Sequence, residues 1–288
     1  MPHLSVTLAI GRRDPEPFEA LLFEFGAASV TLLDAGDDPV LEPAPGATPL
    51  WPTIEMRALF AQDADRERLG AALSLFAPDI EAPGFAIVAD RAWEREWLVD
   101  FKPMRFGKRL WICPGGQAVD AADAVRVELD PGLAFGTGTH ATTALCLTWL
   151  ESNNLTGRVL VDYGCGSGIL GIAALKLGAR RVHAIDIDAQ AQIATRSNAA
   201  RNGVSDRLTF DVPQPGTADV LVANILAGPL VDLAASLQGL MLPRSELALS
   251  GILLDQVDTV TAAYRPWFDI GLTGSRDGWA LLSGRRIA

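Results

Sequence analysis

The run Val159–Tyr163 is apolar apart from Asp162, and it breaks into glycines at 164, 166 and 168 before a second apolar run, Ile169–Leu177. Glycines at alternate positions permit positive φ and a close backbone approach, which a tight turn from strand to helix requires. A third apolar run, Val182–Ile185, ends at Asp186, 22 residues after Gly164. Strand, glycine turn, helix, strand and acid make a βαβ unit. Such units assemble into parallel sheets that hold ligands at the carboxyl ends of their strands. An acid at the end of the second strand accepts hydrogen bonds from ribose hydroxyls, so the expected ligand is of nucleotide type.

The spacing Asp162-x-Gly164-x-Gly166-x-Gly168 departs from the G-x-G-x-x-G of dinucleotide sites. It looks more like a loop for S-adenosylmethionine than a cradle for a pyrophosphate. Gly164, Gly166 and Gly168 make the turn, and Gly168 opens a helix whose N-terminus carries partial positive charge. Asp162 is placed to accept from the cofactor's amino group, directly or through water, and Asp186 to take both ribose hydroxyls. A glycine turn without a ligand and a nicotinamide-binding domain stay open as alternatives.

Around this unit, strand patterns fall at Leu110–Cys113, Ala124–Leu129, Leu208–Val212, Val220–Ile225, Leu247–Gly251, Phe268–Leu272 and Ala280–Arg285. Helical patterns fall at Thr139–Glu151, Asp188–Asn202, Gly228–Leu240 and Asp255–Ala263. From Val159 to Gly251 the order β-α-β-α-β-β-α-β predicts a doubly wound parallel sheet. One helix is missing or reduced to Pro213–Thr217. The last two strands, joined by Gly274–Gly278, should form a hairpin. A parallel sheet closed by an antiparallel hairpin resembles the Rossmann-like sheet of class I methyltransferases.

Residues 1–90 alternate differently. Strands are expected at Leu4–Ile10, Ala28–Leu33, Thr53–Leu59 and Phe85–Ala89, with helices at Pro15–Phe25 and Asp63–Phe76, Asp63 being the N-cap. The order β-α-β-β-α-β fits a small ferredoxin-like α+β domain. Residues 91–109 read as a linker: a short helix with Trp93 and Trp97 on one face, then the basic, aromatic stretch Phe101–Arg109. That stretch reads as a solvated turn before a strand, with contact to acid or nucleic acid as the alternative. Residues 110–288 form the larger domain.

Net charge is −11, from 35 acids against 24 bases, which disfavours a broad nucleic-acid footprint. No direct nucleic-acid readout is expected. Three scattered cysteines, Cys113, Cys146 and Cys165, suit neither a disulfide framework nor a metal site. No signal-peptide pattern and no apolar run of roughly 18 residues occurs, so a cytoplasmic chain without membrane association is expected.

Two further stretches carry chemistry. An apolar strand ends at Asn224, whose amide offers one acceptor and two donors to an incoming amine or to the cofactor. Capping of the next helix is the structural alternative. The segment Val222–Ala227 lacks the prolines and aromatic of an N-P-P-Y motif, which makes a flat base or amide a poor substrate. Leu129–Thr143 holds Gly136, Gly138 and threonines at 137, 139, 142 and 143, but no Gly-Lys-Ser/Thr, so it is not a P-loop. His140 lies among these loops as a candidate general base, or as a helix cap. His183 sits mid-strand and His3 near the start, and neither reads as catalytic.

Leu129–His140, Asp162–Leu170, Ile185–Asp188 and Ala223–Leu230 closely resemble the PrmA family, bacterial methyltransferases of ribosomal protein L-eleven. Trp97–Pro103, Arg109–Pro114 and Leu249–Leu253 do so as well. The likeness covers most of 90–288; before residue 90 it is one of architecture. It implies a substrate-recognition domain at 1–90, a linker at 91–109 and a catalytic domain at 110–288. The implied activity is S-adenosylmethionine-dependent trimethylation of lysine ε-amines and the N-terminal α-amine of that large-subunit protein, free or on the ribosome, by a monomer. The implied cofactor contacts are Thr143, Gly164, Asp186 and Asn224. Tyr163 replaces a small aliphatic residue, and Ala141 a proline, in the family pattern. The implied mechanism is in-line attack of a neutral amine on the sulfonium methyl, driven by alignment. No dedicated base stands out, and Asn224 and His140 are the catalytic candidates. A class I enzyme acting on a small molecule or RNA is the alternative, followed by a catalytically silent binding module.

Overall fold

A computed structural model describes residues 2–36, 50–88, 102–129 and 140–287. The chain divides into two compact units, residues 1–93 and 94–288. The expected linker helix at 91–97 and most of the loop Leu129–Thr139 lie outside the described residues.

In the first unit the order is β1 (His3–Gly11), α1 (Glu16–Glu24), β2 (Ser29–Asp34), β3 (Ile54–Ala61), α2 (Arg66–Phe76) and β4 (Gly84–Val88). Its antiparallel sheet runs β2-β3-β1-β4, the ferredoxin-like arrangement. Leu4, Val6, Leu8 and Ile10 alternate onto the face that also takes Ile54, Met56, Ala58 and Phe60. Phe18 and Leu22 of α1 and Leu69 and Leu73 of α2 complete this core. The cap of α2 is Asp65, whose carboxylate accepts from the Arg68 N–H at 3.0 Å; it is not Asp63. Asp63 is consumed in the turn leaving β3, where Ala64 N–H donates to Ala61 C=O.

The second unit holds β5 (Met104–Phe106), β6 (Leu110–Pro114), β7 (Val125–Leu129), α3 (Ala141–Ser152), β8 (Val159–Tyr163), α4 (Ile169–Lys176), β9 (Arg181–Ile185), α5 (Ala189–Arg201) and β10 (Leu208–Thr209). Then follow β11 (Ala218–Asn224), α6 (Ala227–Leu240), β12 (Met241–Leu253), α7 (Val257–Tyr264), β13 (Phe268–Arg276) and β14 (Trp279–Arg286). Seven strands make one sheet, β10-β9-β8-β11-β12-β14-β13. The first five run parallel, and β14 is antiparallel to both β12 and β13. Leu160, Val182, Val220 and Val222 pack on one face with α3 and α4, while Val161, Leu221, Leu247 and Leu249 pack on the other with α6 and α7. Burial on both faces is why these strands read as continuous apolar runs.

The structure differs from the sequence reading at several points. β10 is two residues long instead of the expected Leu208–Val212, although, as expected, no helix separates it from β11. The closing hairpin turns on Asp277 and Gly278 alone, at φ 51° and 81°, so β13 continues to Arg276. Two residues of positive φ are what a type I′ turn needs, and that turn matches the twist of paired strands. β6 and β7 leave the main sheet and join β5 in a three-stranded sheet of their own. β5 occupies the stretch read as a solvated turn; only Gly107–Arg109 turns. Asn202 ties this small sheet to α5, accepting from the Glu128 N–H at 2.9 Å and donating to the Glu128 C=O at 2.7 Å.

Candidate functional site

The sheet order reverses at β8, which has β9 on one side and β11 on the other. The first crossover thus leaves on one side and a later one on the other, opening a crevice at the carboxyl ends of the strands. Gly164, Gly166 and Gly168 lie there, all at positive φ (74°, 54° and 80°). Gly164 and Cys165 both donate to the Ile185 C=O, at 2.8 and 3.1 Å, so the loop is stitched to the end of β9. The Gly166 N–H donates to Asp186 Oδ2 at 2.9 Å, and the Asp188 N–H to Oδ1 at 3.0 Å. Asp186 therefore fixes the glycine loop itself. Each of its oxygens keeps a second lone pair for a hydroxyl donor.

Close packing explains two of the loop glycines and one in the helix that follows. A Cβ on Gly164 would collide with Ile225 Cγ2, and one on Gly168 would fall 2.7 Å from Thr195 Cγ2. Gly171, one turn into α4, would meet Val182 at 2.9 Å and Asp162 at 3.0 Å. Thr195 and Asn198 of α5 complete the support, donating to the Gly166 and Ser167 carbonyls at 2.9 Å each.

Asp162 is 1% exposed. Its Oδ2 accepts from the Gly171 N–H at 2.8 Å, while Oδ1 has no partner among the described residues. Burial pushes its pKa up to about 7; the Gly171 N–H opposes the shift, and the nearby Asp186 carboxylate adds to it. A buried acceptor without a partner calls for a donor, which the cofactor's amino group would supply directly or through water. Cys165, in the same loop, is pushed up to about 12 by burial, so its thiol is inert at neutral pH.

Across the crevice, Asn224 ends β11. Its Nδ2 donates to Thr143 Oγ1 at 3.2 Å, joining positions 81 apart in sequence. Asn224 does not cap α6, which starts at Ala227 with Leu226 at its N-cap. The Thr143 contact leaves the Asn224 carbonyl oxygen as a directed acceptor.

His140 is the N-cap of α3. Its Nδ1 accepts from the Thr142 N–H at 3.4 Å and lies 2.8 Å from the Thr142 hydroxyl. In the tautomer whose Nδ1 accepts from this N–H, the ring proton sits on Nε2. The His140 ring meets Trp279 edge-on, with centroids 5.1 Å apart. His183 is buried on β9 with Thr209 and Asp211 beside it.

Sequence reasoning passed over four residues at this edge. Ile187 directly follows Asp186 and is wholly exposed, and Val212 directly follows Asp211 and is 62% exposed. The register Thr209↔His183 places these two acid–apolar pairs at the ends of adjacent strands. That repeat, at 186–187 and 211–212, was the available signal. Trp279 carried none, because only the β12–β14 pairing brings it to this edge.

The donors and acceptors present fit S-adenosylmethionine: an open buried carboxylate for an ammonium, an acid for ribose hydroxyls, and exposed apolar side chains for a flat base. Comparison with known proteins agrees. Residues 2–287 match the family described as "Ribosomal protein L11 methyltransferase (PrmA)". A relative of that description from Pseudomonas aeruginosa is 53% identical over 294 residues, covering all of both chains. One from Pseudomonas putida is 52% identical, covering 99% of this chain and all of its own. The crystal structure of a "ribosomal protein L11 methylase" from Lactobacillus delbrueckii subsp. bulgaricus is 34% identical with a TM-score of 0.60, covering 65% of this chain and all of its own. With class I methyltransferase architecture and a site of matching chemistry, the chain belongs to the PrmA family.

Proposed function

We propose that this S-adenosylmethionine-dependent methyltransferase modifies lysine ε-amines and the N-terminal α-amine of a large-subunit ribosomal protein, carrying each to the trimethylated state. Bound S-adenosylmethionine supplies an electrophilic methyl on a sulfonium. The residues named here hold and orient it: Asp186 for the ribose, Ile187 and Val212 for the base, Asp162 for the ammonium, and the glycine loop for close approach. The observation that carries the reading is Asn224, pinned through Nδ2 to Thr143 so that its carbonyl oxygen is free to accept an amine N–H. Such a bond aims the nitrogen lone pair away from the amide, and alignment of this kind supplies much of the rate of a displacement.

The amine must lose a proton before it attacks, since a free lysine titrates near ~10.4. The proton leaves to water, which also suits repeated transfers to one nitrogen. Residues 1–90 are proposed to recruit the substrate, and the reaction belongs in the cytoplasm, where ribosomes are assembled.

The test is mass spectrometry of the recombinant ribosomal protein after incubation with enzyme and cofactor. Gains of three methyl groups on lysines and on the N-terminus are expected. Asn224→Ala should lower kcat by more than it weakens cofactor affinity, since Asn224 is also an implied cofactor contact. Exclusive monomethylation would overturn the trimethylation reading, and methylation of ribosomal RNA alone would overturn the substrate.

A further inference from the structure

The three-stranded sheet carries a feature that methyl transfer does not use. Register places Arg105 of β5 opposite Trp111 of β6, and Trp111 opposite Arg126 of β7. The three side chains form one row across the sheet. Met104, Ile112 and Val127 alternate to the other face, where Ile112 and Val127 are fully buried in the core. Both arginines are exposed and Trp111 is partly so. With strands about 4.8 Å apart, the two arginines stand roughly 10 Å from each other, with the indole between them.

Neighbouring cations extend the row. Lys102, Lys108 and Arg109 are exposed on the segments flanking β5. Arg109 lies 3.9 Å from Glu151, and one Arg126 nitrogen donates to the Val119 C=O at 2.6 Å. Asp120 and Asp123 are exposed on the loop before β7. Glu128 shares the face of β7 with Arg126 and lies 3.8 Å from Arg201. Six cations against these four acids leave a positive patch on a chain whose net charge is −11. An indole between guanidiniums is the pattern of a single-stranded nucleic-acid platform, in which a base stacks on the aromatic and phosphates meet the cations. An acidic peptide would use the charges and leave the indole idle.

We infer that the face formed by Arg105, Trp111 and Arg126 binds single-stranded RNA through its phosphates and one stacked base, without reading sequence. The inference rests on the proposed ribosomal substrate only for its setting, since a ribosomal protein on the ribosome is surrounded by RNA.

The probe is a fluorescein-labelled single-stranded RNA of about a dozen nucleotides, a length within the site sizes of such platforms. Its binding to the full-length chain is read by anisotropy across a salt series. Each phosphate contact contributes about −0.7 to the slope of log K against log salt. Arg105→Gln/Arg126→Gln should therefore make the slope shallower by about 1.4. Trp111→Leu should weaken binding about 5- to 150-fold at an unchanged slope, because stacking releases no counterion. Both variants should still methylate the free ribosomal protein, so failure of this surface and failure of the substrate assignment read out separately. Should Trp111→Leu unfold, the double glutamine variant decides alone, since both of its positions are exposed. Absence of binding at low salt, a slope unchanged in the double variant, or displacement of the RNA by polyglutamate at equal charge would overturn the inference.

Discussion

Gly164 and Ile225 share one space. The Ile225 Cγ2 occupies the volume that a Cβ on Gly164 would take, and the Ile225 backbone in turn occupies the place of a Cβ on Gly251. Gly164 follows β8, Ile225 follows β11, and Gly251 lies at a register shift of β12. The turn beside Asn224 is therefore held between two glycines from neighbouring strands.

Gly164→Ala should destabilise the fold by about 2–4 kcal/mol, from overpacking together with a strained positive φ. Urea unfolding measures this. Ile225→Ala in the same chain should restore part of the loss. Strictly additive effects in that double-mutant cycle would show that the two residues do not share the space.

Asp162 makes both stability and binding depend on pH. Its folded-state pKa of about 7 stands above the roughly 3.9 of an unfolded chain. The folded state thus holds the extra proton, and the group's contribution to stability is greatest below about pH 4 and declines as pH rises toward 7. Asp162→Asn should flatten that decline. An ammonium ligand favours the carboxylate, so cofactor affinity should rise with pH up to about 7. Calorimetry in buffers of different ionisation enthalpy should detect a proton released near pH 6. No release there would refute the contact.

Asp186→Ala removes the acceptor of the Gly166 and Asp188 N–H groups along with the proposed ribose contact. A loss of cofactor affinity on the order of 1–3 kcal/mol is expected. Asp186→Asn, which retains an acceptor, should lose less. Equal affinity in all three proteins would show that the acid serves only the loop.

His140→Ala should lower stability by about 0.5–2 kcal/mol through loss of the α3 cap, and His140→Ser should restore it. The pH profile of kcat should superimpose on that of the parent enzyme. An alkaline shift or a collapse of the profile would return His140 to the role of base.

The glycine loop, Asp186 and the sheet's parallel run were legible because turn chemistry and apolar periodicity are local. Asn224 was legible as a strand end, but its bond to Thr143 was not, since only folding joins positions 81 apart. The open oxygen of Asp162 was hidden for a similar reason: its burial depends on α4 closing over it. Short-range competition misled the reading elsewhere. Asp63 and Asp65 are equal as cap residues on paper, and the turn off β3 chose between them. Leu110–Cys113 and Ala124–Leu129 announce strands without announcing which sheet they join.

The position of β14 bears on how the molecule is assembled during synthesis. This strand lies between β12 and β13, and it also brings Trp279 to His140. A nascent chain that has emerged only through α7 lacks the strand that pairs with β12 on the side away from β11. Its β12 then presents a bare edge, open to pairing with other chains until residues 279–286 arrive. The last-made hairpin thus both seals the edge of β12 and brings the Trp279 ring against His140.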